Sequence, residues 1–234
     1  MSWFKWNGVD SRDMGIVVEA LPAIARAPIR YDKVEIDGMD GMHVDELGYA
    51  VYEKTISVGF QKEVDLDAIF GWLTGKGELI TSDESDKYYI CNIYDVIEFV
   101  KNGSIYKADI KMITQPFKYD INLCEVSCAS GDEVSIACGT RGALYSVTFV
   151  ASGGNVNIAG GVDEERKVFT LTTEESGTTI TIDAENNKIF TETGSSLLNK
   201  ASGELPEFKN YKTEKMSVDG AFTDGIVKYR RRWL

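Results

Sequence analysis

The segment DLDAIFGWLTGKGELITSDESDKYY, residues 65–89, carries the clearest helix signal in the chain and sets that helix among strands. Apolar residues recur there at i, i+3 and i+4, the spacing of one buried helix face; they are Ile69, Trp72 and Leu73. Asp65 precedes them and can cap the helix, because its carboxylate can accept from first-turn amides. Gly75 and Gly77 predict its end, since glycine adopts the left-handed conformation without steric cost. Nearly every other segment has strand-like patterning, so the helix is predicted to fill a β core.

Strands are predicted on both sides of this helix. Residues 49–64 alternate, with Tyr52, Ile56, Val58 and Phe60 on one face. Residues 88–119 predict two long strands joined at Asn102–Gly103, the strongest hairpin signal of the chain. Pro116 is expected to end the second of these strands, because proline cannot donate to a ladder.

Two segments before residue 49 have different patterns. Residues 16–21, IVVEAL, form a continuous apolar run, which predicts a strand buried on both faces. Residues 22–33 contain two prolines and scattered arginines, which favours an extended arm. In residues 33–46, Val34 and Ile36 alternate with charged residues and predict a half-buried strand, followed by two Asp-Gly turns.

The texture of the sequence changes after Tyr119, where aromatic residues become scarcer and Gly, Ser and Thr increase. Several short strands at sandwich spacing are predicted there, with residues 195–208 as an ordered loop. We therefore expect two domains, 1–120 and 121–234. The last strand, residues 226–234, alternates apolar and basic side chains, which predicts a paired strand with Trp233 buried; its place is the sandwich or, if the chain doubles back, the first domain.

The charge of the chain limits its partners. The formal net charge is -12, and residues 1–120 alone hold 13 Lys and Arg against 21 Asp and Glu. An acidic surface repels phosphate, so specific nucleic-acid binding is not expected. There is no run of 18 apolar residues, so no transmembrane helix is expected. The first ten residues lack the apolar core of a signal peptide, which predicts synthesis in a cytosol.

The sequence indicates no active site, so we expect no catalytic, cofactor-binding or metal residues and a protein that is not an enzyme. It lacks phosphate-binding, zinc-protease and nucleophile-elbow motifs. The carboxylate pairs in turn-like segments, at residues 163–165 and 174–175, favour solvated faces over a hydrolase. Asp37, Asp40 and Asp45 could supply oxygen ligands, but their order is not that of a calcium loop, and a solvated glycine-rich turn is favoured.

The cysteine and histidine content agrees with the expectation that the chain has no metal-binding or catalytic residues. The four cysteines show no C-x-x-C spacing, and His43 is the only histidine, so reduced thiols are favoured over a disulfide or metal site; these cysteines are Cys91, Cys124, Cys128 and Cys138.

Two binding alternatives remain open. A sandwich domain could bind sugar through an exposed aromatic ring, although each aromatic available fits a core position better; the candidates are Tyr145, Phe169, Phe190 and Tyr211. The C-terminal basic cluster could contact nucleic acid or a membrane, but pairing with acidic surface is favoured on so acidic a chain; it comprises Lys228, Arg230, Arg231 and Arg232.

Several segments, taken in order, resemble the distal tail proteins of long-tailed bacteriophages. They are FKWNGVDSRDMGIVVE (4–19), KVEIDGMDG (33–41), IFGWLTGKGELITSDESDKYYICNI (69–93), ITQPFKY (113–119), TITIDAENNKIF (179–190), SGELPEF (202–208) and VKYRRRWL (227–234). The resemblance covers most of the chain, whereas residues 121–170 match in texture only. Met39 departs from it, because family members often carry a basic residue in that turn.

The resemblance implies a structural virion protein. The expected fold is mainly β: an N-terminal sandwich- or barrel-like domain with one short helix and a projecting hairpin, followed by a galectin-like β-sandwich. Members of the family form a homohexameric ring at the tail tip. One face of the ring meets the tail tube protein, and the other meets the tail-tip hub, a tail-associated lysin or a receptor-binding protein. The alternative function is a carbohydrate-binding module for host cell-wall sugars.

Overall fold

The computed structural model describes residues 1–35, 37–38, 40–61, 64–161, 166–209 and 212–234. The chain forms two compact units, one of Met1–Ile121 with Leu234 and the other of Asn122–Trp233. Both units are built mainly from antiparallel strands, so the predicted mainly-β class is confirmed. In the described ranges, no helix is long and apolar enough to cross a membrane.

The first unit is an antiparallel sheet with one helix and a separate hairpin. Its elements are β1 (Phe4–Trp6), β2 (Val9–Asp10), β3 (Val17–Ala20), β4 (Ile29–Val34), β5 (His43–Tyr49), β6 (Tyr52–Gln61), α1 (Leu66–Trp72), β7 (Gly75–Thr81), β8 (Lys87–Ile93), β9 (Val100–Asn102) and β10 (Ile105–Asp120). The strands run in the order β3–β6–β10–β8–β7–β1–β2, and β9 pairs with the start of β10. Within the described ranges, β4 and β5 pair with each other and with no other strand.

The predicted helix stripe is confirmed. The Asp65 carboxylate accepts from the amides of Asp67 and Ala68 at 3.0 and 3.2 Å. Ile69 and Leu73 are buried in the core of the unit. A buried helix face of this kind stabilises the helix mainly through tertiary packing rather than through helix propensity.

The aromatic residues around the helix explain why glycine is required at one of the two glycine positions that follow it. Trp72 stacks on Phe4 with ring centroids 5.6 Å apart and donates to the Trp6 carbonyl at 3.0 Å. Gly75 is left-handed, with φ of +71°, but it is the first residue of β7 and lies two residues after Leu73, the C-cap of the helix. Gly77 instead lies inside β7, where a Cβ would come within 2.6 Å of the Trp6 ring. The prediction that Gly77 helps to end the helix is wrong, because this glycine makes room for an indole.

Three strand predictions in this unit need correction. Residues 16–21 are not buried on both faces, since Val17 is exposed between buried Ile16 and Val18. Residues 94–99 interrupt the first of the two long strands. Pro116 does not end β10, because the register shifts between Thr114 and Lys118 and the proline lies within that irregular stretch.

The second unit contains three long strands where a larger number of short ones was predicted. Its strands are β11 (Cys124–Cys128), β12 (Asp132–Ile136), β13 (Ala143–Gly160), β14 (Lys167–Asp183), β15 (Lys188–Thr191), β16 (Ala201–Gly203) and β17 (Glu214–Trp233). The segment predicted as an ordered loop holds a single 3-10 turn, Leu198–Lys200, and β16.

Irregularities in the middle of these long strands divide them between two layers. The β13 pairing shifts register between Val150 and Gly154 against β14, and between Ala151 and Val156 against β17. One set of half-strands gives the order β15–β14–β13–β17–β11, and the other gives β16–β14–β13–β17–β12. Side chains of both sets share one core, so the unit is a β-sandwich built from bent strands.

Candidate functional site

The β4–β5 hairpin of the first unit is exposed along nearly its whole length and begins from a short anchored arm. Pro22 and Ala27 of the arm are buried. The Lys54 ammonium donates to the Ala23 carbonyl at 3.0 Å, and the Ala50 amide donates to the Pro28 carbonyl at 2.8 Å. The base of the hairpin is therefore held on the unit, while the hairpin strands pair with nothing else among the described residues.

Beyond this base, the hairpin exposes large apolar side chains. Five of them have between 45% and 53% of their surface exposed: Tyr31, Val34, Met42, Val44 and Leu47. An isolated two-stranded hairpin is marginally stable in water and gains stability when a hydrophobic face is covered. The register places Tyr31 and Val44 on one face of the hairpin and Val34 on the other, so apolar surface is exposed on both faces. Exposed apolar surface of this kind on an acidic protein is typical of an interaction surface. We refer to these five residues as the hairpin patch.

Charged residues accompany the patch. Asp32 lies directly opposite Asp45 in the β4–β5 register, and His43 Nε2 lies 3.1 Å from the Asp45 carboxylate. Gly38 and Gly41 have φ of +82° and +89°, which agrees with the turn interpretation of the Asp-Gly pairs. Across the described ranges, no group of three or more acidic, histidine or cysteine side chains could hold a metal ion.

A buried polar cluster lies beside the base of the arm. Glu84 accepts from the Tyr89 hydroxyl and from the Lys118 ammonium, and both charged side chains are about nine-tenths buried. Lys54 lies 4.3 Å above the Tyr89 ring. Burial lowers the pKa of Lys54 and raises that of Tyr89, where the hydrogen bond to Glu84 adds to the effect. Because every member contacts another member or the backbone, the cluster joins β6, β8 and β10 to the arm.

A groove runs along the outer face of β6 and β10. The segment 94–99 and β9 form one wall, and the volume of the groove is about 680 Å³. Val96 and Val100 line the groove with 81% and 64% of their surface exposed. Asp95 and Glu98 also line it, and neither forms an ion pair within the described part of the chain. We refer to this feature as the acidic groove.

The second unit contains a pocket of about 540 Å³ between the segment 198–209 and the strands beneath it. Tyr145 and Phe169 line it, but only 5% and 4% of their surfaces are exposed. Neither ring therefore forms an open platform for a sugar, and the core interpretation of both is confirmed. Phe190 is half-buried. Tyr211 and residues 163–165 lie outside the described residues.

The C-terminal strand is paired as predicted, but one of its residues is not where expected. β17 pairs with β11 and β13 inside the second unit, and Val227 and Tyr229 are buried. Lys228 forms an ion pair with Glu125, which agrees with the expected contact between basic face and carboxylates. Trp233 is half-buried, so its predicted full burial is wrong. Arg231 covers part of its ring, with the guanidinium 5.5 Å from the ring centroid.

All four cysteines are free thiols, as favoured from the sequence. Cys91 is buried beside Thr114, and its burial raises the pKa of the thiol to about 11. A thiol in such an environment is a poor nucleophile at neutral pH.

Comparison with known proteins shows what this fold is similar to. No family model and no curated protein matches the sequence. The structure is similar to that of the Dit (gp 19.1) protein of phage SPP1, a paradigm of the hub adsorption apparatus in phages that infect Gram-positive hosts. The TM-score is 0.81 at 12% identity, over 100% of both chains. Chains of the phage P2 baseplate in its activated conformation with Ca and with Sr are also similar, with TM-scores of 0.50 and 0.51 at 9% identity, covering 99% of this chain and 98% of theirs. Likeness at these identities shows a shared fold.

Proposed function

We propose, from the fold shared with SPP1 Dit over the whole chain, that this protein is a distal tail protein: a structural component of a phage baseplate hub. Its copies would form a hexameric ring that joins the tail tube to the tail-tip adsorption apparatus. The ordered sequence resemblance from residue 4 to residue 234 supports the same assignment. The protein would act in the virion, at the tail tip.

The observation that carries the ring is the hairpin patch. Its five apolar side chains are about half exposed in the single chain. If the hairpin of each copy contacts a surface of the next copy other than that copy's own hairpin, the contact is heterologous. Heterologous contacts form a closed ring when the rotation between neighbouring copies is a whole fraction of a full turn. The ring therefore gives the hairpin the cover that its own unit does not supply.

The charge of the first domain, residues 1–120, fits a channel through which DNA passes. These residues contribute -8 of the net charge of -12. An acidic wall does not neutralise DNA phosphates, so DNA releases no counterions to it and does not bind it. A duplex would therefore slide along the wall. We expect acidic side chains to outnumber basic ones on the lumen, the tail tube protein to meet one face of the ring, and the hub or receptor-binding protein to meet the other.

The test is the mass in solution, measured by light scattering across a wide concentration range. A hexamer has six times the chain mass of 25.9 kDa. Val44→Lys places a charge in the hairpin patch and should shift the chain towards monomer. Val168→Lys is the matched control, because Val168 is a strand valine of similar exposure, 52% against 45%, on the second unit.

Two outcomes contradict the proposal. The first is a wild-type chain that stays monomeric at every concentration, also when the tail tube protein is added. The second is a ring that Val44→Lys and Val168→Lys weaken equally, because the hairpin would then have no special part in assembly.

A further inference from the structure

The acidic groove is an open surface with both apolar and charged character. The exposed Val96 and Val100 would lose apolar surface to a partner segment, which favours association. The carboxylates of Asp95 and Glu98 lie along the same wall without an ion pair in the described ranges. On the floor of the groove, Lys107 is already neutralised by Glu19 at 2.7 Å. Lys111 also lines the groove, but the lining holds four carboxylates against two ammonium groups, so the groove offers a net negative charge beside apolar surface.

The arm and first hairpin strand, residues 21–34, have the opposite character. They contain three cations, Arg26, Arg30 and Lys33, against a single acid, Asp32, although the whole chain is strongly acidic. Arg26 is exposed and forms no ion pair in the described part of the chain. Ile24, two residues before it, is also exposed, with 61% of its surface open. We refer to residues 21–34 as the basic arm.

We propose that the acidic groove of each copy binds the basic arm of the neighbouring copy, with Arg26 and Lys33 against Asp95 and Glu98 and with Ile24 against Val96. This inference rests on the proposed ring and names the two surfaces that meet in it. Complementary charge of this kind fixes the register of an interface and suppresses wrong pairings. Because groove and arm are different surfaces, the contact is head-to-tail and extends around a closed ring.

Charge reversal tests the pairing. The groove variant is Asp95→Lys with Glu98→Lys, and the arm variant is Arg26→Glu with Lys33→Glu. All four side chains are exposed, so we expect melting temperatures close to that of the wild type. The control is Glu174→Lys with Glu175→Lys, which makes the same charge change at exposed positions of the second unit.

Each reversed variant should need at least about tenfold more protein to assemble than the wild type or the control. In an equimolar mixture of the groove variant and the arm variant, copies of the two can alternate around the ring. The basic groove of one variant then meets the acidic arm of the other, and the unchanged acidic groove meets the unchanged basic arm. Assembly of the mixture should therefore return to near the wild-type midpoint. Raising the salt to about 0.5 M should narrow the gap between variants and wild type, because exposed charges are then screened.

The outcomes separate this inference from the proposed function. A wild-type chain that never assembles overturns the ring itself. A ring that tolerates both double substitutions overturns only the pairing. Variants that fail to assemble both alone and in the mixture also overturn it, because the groove would then bind a different occupant, such as another tail protein or a cation.

Discussion

Gly220→Ala, at the bend of β17, tests the sandwich geometry with a single methyl group. Gly220 has φ of +128°, which L residues rarely adopt. A Cβ there would lie 2.0 Å from the backbone oxygen of Asn155 on the paired strand β13. A backbone oxygen cannot swing aside like the end of a side chain, so β13 and β17 would have to separate.

The expected cost has two parts. Close carbon–oxygen contacts between strands are about 3.3–3.6 Å, so the overlap exceeds 1 Å, and overpacking of this kind costs about 1–3 kcal/mol. The unfavourable φ adds about 1–3 kcal/mol. The two parts together span about 2–6 kcal/mol, with a centre near 4 kcal/mol, which is a large share of the free energy of unfolding of a typical domain. Gly131→Ala is the control, because Gly131 also has positive φ, +88°, but its added Cβ would meet its nearest atom only at 4.0 Å.

Hydrogen exchange read by mass spectrometry can follow the second unit alone, through peptides from β13 and β17. Since 1.4 kcal/mol corresponds to a factor of ten, a cost near 4 kcal/mol should lower the protection of these peptides by about 10³-fold in Gly220→Ala. In Gly131→Ala the loss should be about tenfold. The steric argument is refuted if the two variants lose the same protection, because the bend would then accommodate the methyl group.

Two further predictions concern other parts of the chain. Arg12 donates two hydrogen bonds to the Asp10 carboxylate, at 2.9 and 2.7 Å, and lowers its pKa to about 2. Since this folded-state pKa is below the unfolded one, the stabilisation is present above about pH 4 and is lost as the pH falls towards 2. Asp10→Asn should therefore cost about 1–2 kcal/mol of stability at pH 7, after allowance for the half-exposed Arg12. It should also flatten the fall in melting temperature between about pH 5 and 2, and an unchanged slope would contradict this prediction. Deleting residues 229–234 removes buried Tyr229 and its pairing with Tyr145, so the midpoint of thermal unfolding should drop by more than about 10 °C; an unchanged midpoint would show that the end of β17 contributes no stability.

Local patterns were sufficient for several elements. The α1 stripe and its Asp65 cap follow from spacing along one helix, and both are present. The hairpin predicted at Asn102–Gly103 forms one residue further on, because Asn102 pairs with Ile105 and Gly103, with φ of +64°, and Ser104 form the loop. Buried Val227 and Tyr229 follow from the period of two along a strand. These features depend on residues close in sequence, so their physical causes are visible without the fold.

The candidate site was only partly visible in this way. The sequence indicated an extended arm over residues 22–33 and turns at the two Asp-Gly pairs. It did not show that β4 and β5 pair with each other and leave the hairpin patch exposed, because half-buried and exposed strands of similar composition look alike. The acidic groove was also missed, since its walls come from residues 94–100 and from β6 and β10.

What the sequence by itself determined is where strands, turns and the helix form, because backbone preference and apolar period act over a few residues. What only the tertiary structure decided is which of those signals end a strand and which merely bend it. Gly153, Gly154 and Gly177 lie between segments that the sequence predicts as separate strands, yet they lie inside the continuous long strands β13 and β14. The physical reason is that the residues before and after each irregular stretch are paired with neighbouring strands, which hold the strand together across the bend. Those neighbours are distant in sequence and come together only in the folded sandwich.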